Sequence, residues 1–142
     1  MSILGIDYGD RKVGVAMAAE GQAVAVPLAV IPHRGLSALL AELAMLCARE
    51  GATTVVVGVP LSLSGSGATE LRQADQANGQ MRKVLKFVER LRKRLGIPVK
   101  IQDERLSTQE AIRLRGATTG QPEDAVAAML ILQSYLDRNR GA

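Results

Sequence analysis

The sequence predicts an α/β fold in which a five-stranded mixed sheet is flanked by helices. Three observations carry that prediction: strand-like runs are crowded into the first thirty-two positions, helical and strand-like periodicities alternate after them, and one run is apolar throughout. Strands in a meander followed by βαβ crossovers give a mixed sheet, with the first three strands antiparallel and the order βββαβαβαα.

Ile3 to Tyr8 is apolar and partly β-branched, Lys12 to Met17 resumes the pattern, and Tyr8-Gly9-Asp10-Arg11 between them has turn chemistry, so a hairpin is expected. Val24 to Ile31, bounded by Gly21 and Pro32, is the third strand. From Gly35 the period changes. Leu36, Leu39, Leu40, Leu43, Leu46 and Cys47 fall on one helical face, which makes Cys47 a core residue rather than a nucleophile. Thr53 to Val59 is apolar on both alternations, as a central strand covered on two faces should be, and Pro60 ends it.

Leu61 to Gly67 is Ser- and Gly-rich and reads as a loop, and Ala68 to Gln80 has no decisive pattern. Met81, Val84, Leu85, Val88, Leu91 and Leu95 mark a second amphipathic helix, stopped by Gly96, with a fifth strand over Ile97 to Gln102. Ser107-Thr108-Gln109-Glu110 matches a capping box and predicts a short helix, so Ser107 is a cap and not a nucleophile. The last helix is expected from Pro122, with Ala125, Ala128, Met129, Leu132, Tyr135 and Leu136 on its apolar face.

At 142 residues the chain suits one domain spanning 1–142. The lone Cys47 excludes an internal disulfide and a Cys-based metal cluster, and a reducing compartment suits it. The amino terminus lacks a basic segment followed by a long apolar run, and Val24 to Ile31 is too short to cross a bilayer. A cytoplasmic protein without a membrane partner is expected. The formal charge of +4 favours polyanions. With Tyr8, Tyr135 and Phe87 as the only aromatics, contact with a nucleic-acid backbone is favoured over base stacking.

Three carboxylates stand where chemistry is plausible. Asp7 ends an apolar strand, Glu104 lies just beyond the fifth strand, and Asp124 is in the first turn of the last helix. If the ends of the first and fifth strands lie together and the helix start covers them, the three converge. Oxygen ligands without His or Cys suit Mg²⁺ or Mn²⁺, and two such ions about 4 Å apart support phosphodiester hydrolysis. Structural roles compete with this reading: Asp124 would also favour a helix N-terminus, and Glu104 could pair with Arg105 or Lys12. Asp103, one residue from Glu104, would face the opposite side of a regular strand.

Ile6-Asp7-Tyr8-Gly9, Gly14-Val15-Ala16, Val57-Gly58-Val59-Pro60-Leu61, the Asp103-Glu104-Arg105-Leu106-Ser107-Thr108 segment with Glu110-Ala111, and Ala127 to Leu136 together resemble the YqgF, or RuvX-type, family over nearly the whole chain. The resemblance implies a ribonuclease H-like fold and a nuclease proposed to mature the 5′ end of precursor 16S ribosomal RNA, with Holliday-junction resolution as the older proposal. It also implies an acidic triad at Asp7, Glu104 and Asp124 that holds the metal ions. Two departures bear on substrate engagement: Ser62 to Gln80 is longer than the family's loop, and the segment between Glu110 and Asp124 is shorter and lacks its usual basic cluster. Asp10 stands where the family often has Thr or Ser and is expected to complete the turn.

Arg11, Lys12 and Arg105 flank the carboxylates and either hold substrate phosphates or balance the local charge. Ser62, in the loop after the central strand, is a further candidate for phosphate contact. Arg82, Lys83, Lys86, Arg90, Arg92, Lys93 and Arg94 form the densest basic stretch, expected to be a solvated helix face. His33, in a Pro-His-Arg-Gly turn, is expected to be exposed and without a role. Sugar kinases and actin-like ATPases share the Asp-x-Gly motif, but they need two domains. A non-catalytic binding module is the other alternative, disfavoured by the intact triad. Both a monomer and a homodimer remain open, the latter being required for two-fold junction cleavage.

Overall fold

The computed structural model describes residues 1–59, 68–103 and 123–139. Five strands, β1 (Ser2–Asp7), β2 (Lys12–Ala19), β3 (Val26–Pro32), β4 (Ala52–Val59) and β5 (Val99–Asp103), form one sheet in the order β3-β2-β1-β4-β5. The helices among the described residues are α1 (Leu36–Glu50), α2 (Ala68–Leu95) and α3 (Glu123–Asn139). The hairpin register runs from Ser2↔Ala19 to Asp7↔Gly14, and β2 pairs β3 antiparallel, as expected of a meander. β4 enters parallel to β1 and β5 parallel to β4, so the carboxyl ends of β1, β4 and β5 share one edge of the sheet.

The alternation of side chains along β1 and β4 divides the interior into two cores. Leu4, Ile6, Val55, Val57 and Val59 face α1 and α2, where they pack with Leu39, Leu43, Phe87 and Leu91. Val56 faces the other way, into a core supplied mainly by Ala128, Ile131, Leu132 and Leu136 of α3. Cys47 is buried in the first core, and burial pushes its thiol up to about 11, which agrees with a packing role.

Several boundaries differ from the sequence expectation, each for a physical reason. β3 begins at Val26 rather than Val24 because the segment before it is held by α3: Gln133 Nε2 donates to the Ala23 carbonyl at 2.8 Å, and Gln133 Oε1 accepts from the Ala25 N–H at 3.0 Å. β5 begins at Val99 rather than Ile97. Ahead of it, the Pro98 carbonyl accepts from the Val55 N–H, while the Arg92 guanidinium grips the Val99 carbonyl at 2.8 and 3.1 Å. α2 begins at Ala68, thirteen residues before the first position of its apolar stripe at Met81. Ala, Glu, Leu, Arg and Gln dominate that first half; they favour helix without creating the apolar period that reveals one. The short helix expected at Ser107 lies outside the described residues, as do Pro60 to Gly67 and Pro122.

The contact between α3 and β1 is unusually close. A Cβ added at Gly5 would stand 2.6 Å from the Leu132 Cβ and 3.0 Å from the Ala128 carbonyl oxygen, so only glycine lets the helix settle on the strand. No helix among the described residues is long and apolar enough to cross a membrane. Gly5→Ala is expected to push α3 outward and destabilise the fold by about 1–3 kcal/mol. Thermal unfolding followed by circular dichroism reads this as a midpoint lowered by several degrees, and an unchanged midpoint contradicts the packing described.

Candidate functional site

Asp7 is the last residue of β1 and half-buried, and it lies on the same face of the strand as Ile3 and Gly5, the face covered by α3. The direction of α3 follows from two contacts. Gly5 lies against Ala128 and Leu132, whereas Gln133 reaches the chain just before Val26, whose partner Met17 pairs with Leu4, so that this chain lies toward the Ser2 end of β1. The first turn of α3 therefore points to the Asp7 end. From the level of Gly5, Asp7 is about 7 Å along the strand, and the first turn of α3 lies about 9 Å along its own axis from the same contact.

On the opposite side of Asp7, the parallel register continues the same row. Ile6 pairs with Val57 and Gly58 with Gln102, so Asp7, Gly58 and Gln102 occupy one level and one face, with Gln102 two strand spacings, about 10 Å, from Asp7. The side chain between them is a hydrogen atom. Asp103, the last residue of β5, pairs with Val59, so Glu104 follows directly from a strand end at the site edge. Glu104, Arg105 and Ser62 themselves lie outside the described residues. The structure thus brings the Asp7 carboxylate, the end of β5 and the start of α3 to one edge; among the described residues, no group of three metal-ligating side chains is complete.

The turn after Asp7 is tightly built. A Cβ on Gly9 would lie 2.5 Å from the Lys12 carbonyl oxygen, which explains the glycine two residues after the aspartate. Arg11 and Lys12 are both exposed at this edge, and the Arg11 carbonyl accepts from the His33 N–H at 2.8 Å. Asp10 is exposed and meets Lys83 Nζ of α2 at 3.4 Å. Its carboxylate is thus engaged with a helix.

His33 corrects the expectation of an idle exposed residue. It is half-buried; its Nδ1 accepts from the Gly35 N–H at 3.2 Å, which assigns the proton of the neutral ring to Nε2, and Nε2 meets the Tyr8 hydroxyl at 3.0 Å. Tyr8 stacks on Phe87 with ring centroids 4.4 Å apart. Burial, and after it the negative charge of Asp10, raises the Tyr8 hydroxyl above its ordinary pKa. The clamp lies on the α1/α2 face and fixes the backbone from which Asp7 projects to the other side. No local signal could have found it, since Tyr8 and His33 are 25 positions apart.

Gln102 was also missed. It is only 5% exposed, and its Nε2 has no hydrogen-bond partner among the described residues. A buried amide donor without an acceptor costs about 1–3 kcal/mol, an expense usually retained where function uses the group. Gln102→Met keeps the volume and removes the penalty, so the thermal midpoint should rise by about 3 °C. A fall of that size would mean that the amide is satisfied in solution.

Comparison with known proteins agrees with this architecture. The chain matches the RuvX family, described as Holliday junction resolvase, over residues 1–138. Among similar proteins, one from Anaeromyxobacter sp. (strain Fw109-5) is 37% identical over 96% of this chain and 97% of its own, and one from Chloroflexus aggregans is 34% identical over 98% and 95%. Both carry the name "Putative pre-16S rRNA nuclease". Among solved structures, RuvC of T. thermophilus in complex with a Holliday junction superposes with a TM-score of 0.65 at 18% identity, covering 99% of this chain and 96% of that one. The Fowlpox virus resolvase bound to junction DNA gives 0.56 at 10% identity, covering 97% and 98%. These structural likenesses establish the ribonuclease H-like fold. Strand order, the Asp7 edge and the match over nearly the full sequence lead to one assignment: this chain belongs to the RuvX family.

Proposed function

We propose that this chain is a divalent-metal-dependent nuclease that hydrolyses nucleic-acid phosphodiester bonds, with Asp7, Glu104 and Asp124 as its metal ligands and precursor 16S ribosomal RNA, trimmed at the 5′ end, as its substrate. The observation that carries the reading is the Gly5 contact, which directs the first turn of α3 to the strand edge where Asp7 stands and β5 ends. Hard oxygen donors at such an edge fit Mg²⁺ or Mn²⁺. When bound, a pair of these ions supplies Lewis acidity, favouring deprotonation of the attacking water and neutralising charge on the leaving oxygen.

The chain's own groups do the rest. Asp7, held from behind by the Tyr8–His33 clamp, would hold the cations together with Glu104 and Asp124. Arg11, Lys12 and Arg105 orient phosphates, with Ser62 offering a hydroxyl from the loop after β4. These contacts position the backbone without reading bases, and the scarcity of aromatic side chains disfavours base stacking. The names of the relatives support RNA as substrate. The family description favours a second reading, cleavage of four-way DNA junctions by a homodimer.

The test is cleavage of a structured precursor RNA, single-stranded DNA and a four-way junction in Mg²⁺, Mn²⁺ or chelator. Cutting of the RNA that chelator abolishes and Asp7→Asn lowers by roughly 100-fold or more is the expected result, equivalent to at least about 2.7 kcal/mol of lost transition-state stabilisation. Junction cleavage without RNA cleavage selects the second reading. Cleavage that survives both chelator and Asp7→Asn contradicts the metal–carboxylate site.

A further inference from the structure

Residues 81–95 hold seven Lys and Arg against one acid, Glu89, for a net +6, whereas the whole chain carries +4, so the remainder is net negative. The positive field of this protein therefore resides on the second half of α2. Packing divides the cations of that segment. Val84, Phe87, Val88 and Leu91 are buried, and Arg92 turns to the Val99 carbonyl. The other six, Arg82, Lys83, Lys86, Arg90, Lys93 and Arg94, are all exposed and fall within a sector about 120° wide at 100° per residue.

A merely solvated helix face interleaves acids with bases so that neighbouring turns attract. Here Arg82, Lys86, Arg90 and Arg94 form a ridge at i, i+4, i+8 and i+12, in which each successive pair is a repulsive one. The one acid of the segment pairs with Lys93 at 3.4 Å, outside that ridge. Repulsion built into a helix does nothing for its stability; an external polyanion converts it into binding. Spaced about 6 Å apart along the axis, these cations cover about 18 Å, the length over which one strand of a duplex presents roughly five phosphates.

The stripe is joined to the site. Lys83 contacts Asp10, three residues after Asp7, so the row of cations begins at the turn that leaves the candidate catalytic strand and runs back along the α1/α2 layer. We infer that the exposed ridge of α2 is a second nucleic-acid contact surface, which binds the phosphate backbone of a substrate arm leaving the Asp7 edge. This inference rests on the nuclease reading for its substrate. It also gives this chain a basic element outside the segment between Glu110 and Asp124, which holds only Arg113 and Arg115.

Binding and cutting are separated by measuring affinity in the Asp7→Asn protein, using an RNA hairpin with a 20-base-pair stem over a range of salt. Arg90→Gln with Arg94→Gln should weaken binding by about tenfold and reduce the slope of log K against log salt by about 2, as expected for two lost phosphate contacts. Arg49→Gln with Arg138→Gln removes the same charge elsewhere and should leave the slope unchanged; circular dichroism checks that both variants fold. Equal losses in the two variants, or no loss in either, overturn the inference. So does poly-glutamate that displaces the hairpin at matched charge concentration, which would mark a surface for acidic peptides. If the wild type cuts neither RNA nor DNA, the nuclease reading fails, while the slope still decides whether the ridge binds nucleic acid.

Discussion

The missing side chain at position 5 is the constraint on which the site depends. With Leu132 Cβ only 2.6 Å from where a Gly5 Cβ would be, α3 rests on β1 backbone to side chain, and its axial position is set to within a fraction of a turn. Displacement of that helix would move its first turn, and Asp124 with it, away from the edge where β1 and β5 end. Gln133, the residue after Leu132, ties the same helix to the carbonyl of Ala23 and the N–H of Ala25. A close approach and an adjacent polar tether together define where the helix begins.

The two faces of β1 divide the work. Leu4 and Ile6 are wholly buried against α1 and α2, and Tyr8 continues that face into a clamp with His33 and Phe87. Asp7, between them, faces the α3 side, where Gly5 lets the helix close onto the strand and Gly58 places no side chain between Asp7 and Gln102. One strand thus combines a rigid apolar anchor with an acidic group, and strand alternation alone separates them. The same logic on β5 places Val99 in the core and Gln102 at the level of Asp7.

Much of this was legible before any coordinates, because it is written in periods. Period two over Ile3 to Tyr8 and Lys12 to Met17, and the helical stripes of α1 and α3, report burial on one face directly. Polar helix is silent in that code, which is why the first half of α2 escaped notice although its composition favours helix. Long-range polar contacts are silent as well: the Tyr8–His33 clamp, the Gln133 tether and the solitary amide of Gln102 each join or isolate residues from different elements, and only the folded chain brings them into relation. The candidate ligands were visible in two ways. Asp7 stands out physically, as a charge ending an apolar strand, whereas Glu104 and Asp124 stood beside ordinary structural explanations until the Asp-Glu-Arg-Leu-Ser-Thr segment supplied a family context. Arg11 and Lys12 lie exposed at the expected edge, and the basic stretch of α2 became informative only once its cations were sorted into a ridge and Arg92, which is engaged with the Val99 carbonyl.

The central claim is that carboxylates far apart in sequence share cations at the end of β1. Anomalous diffraction from crystals soaked in Mn²⁺ tests it most directly. The account predicts manganese bound to the Asp7 carboxylate, with Glu104 and Asp124 in the same coordination sphere. Manganese bound elsewhere with Asp7 uninvolved, or those three side chains too far apart to share it, would contradict the account.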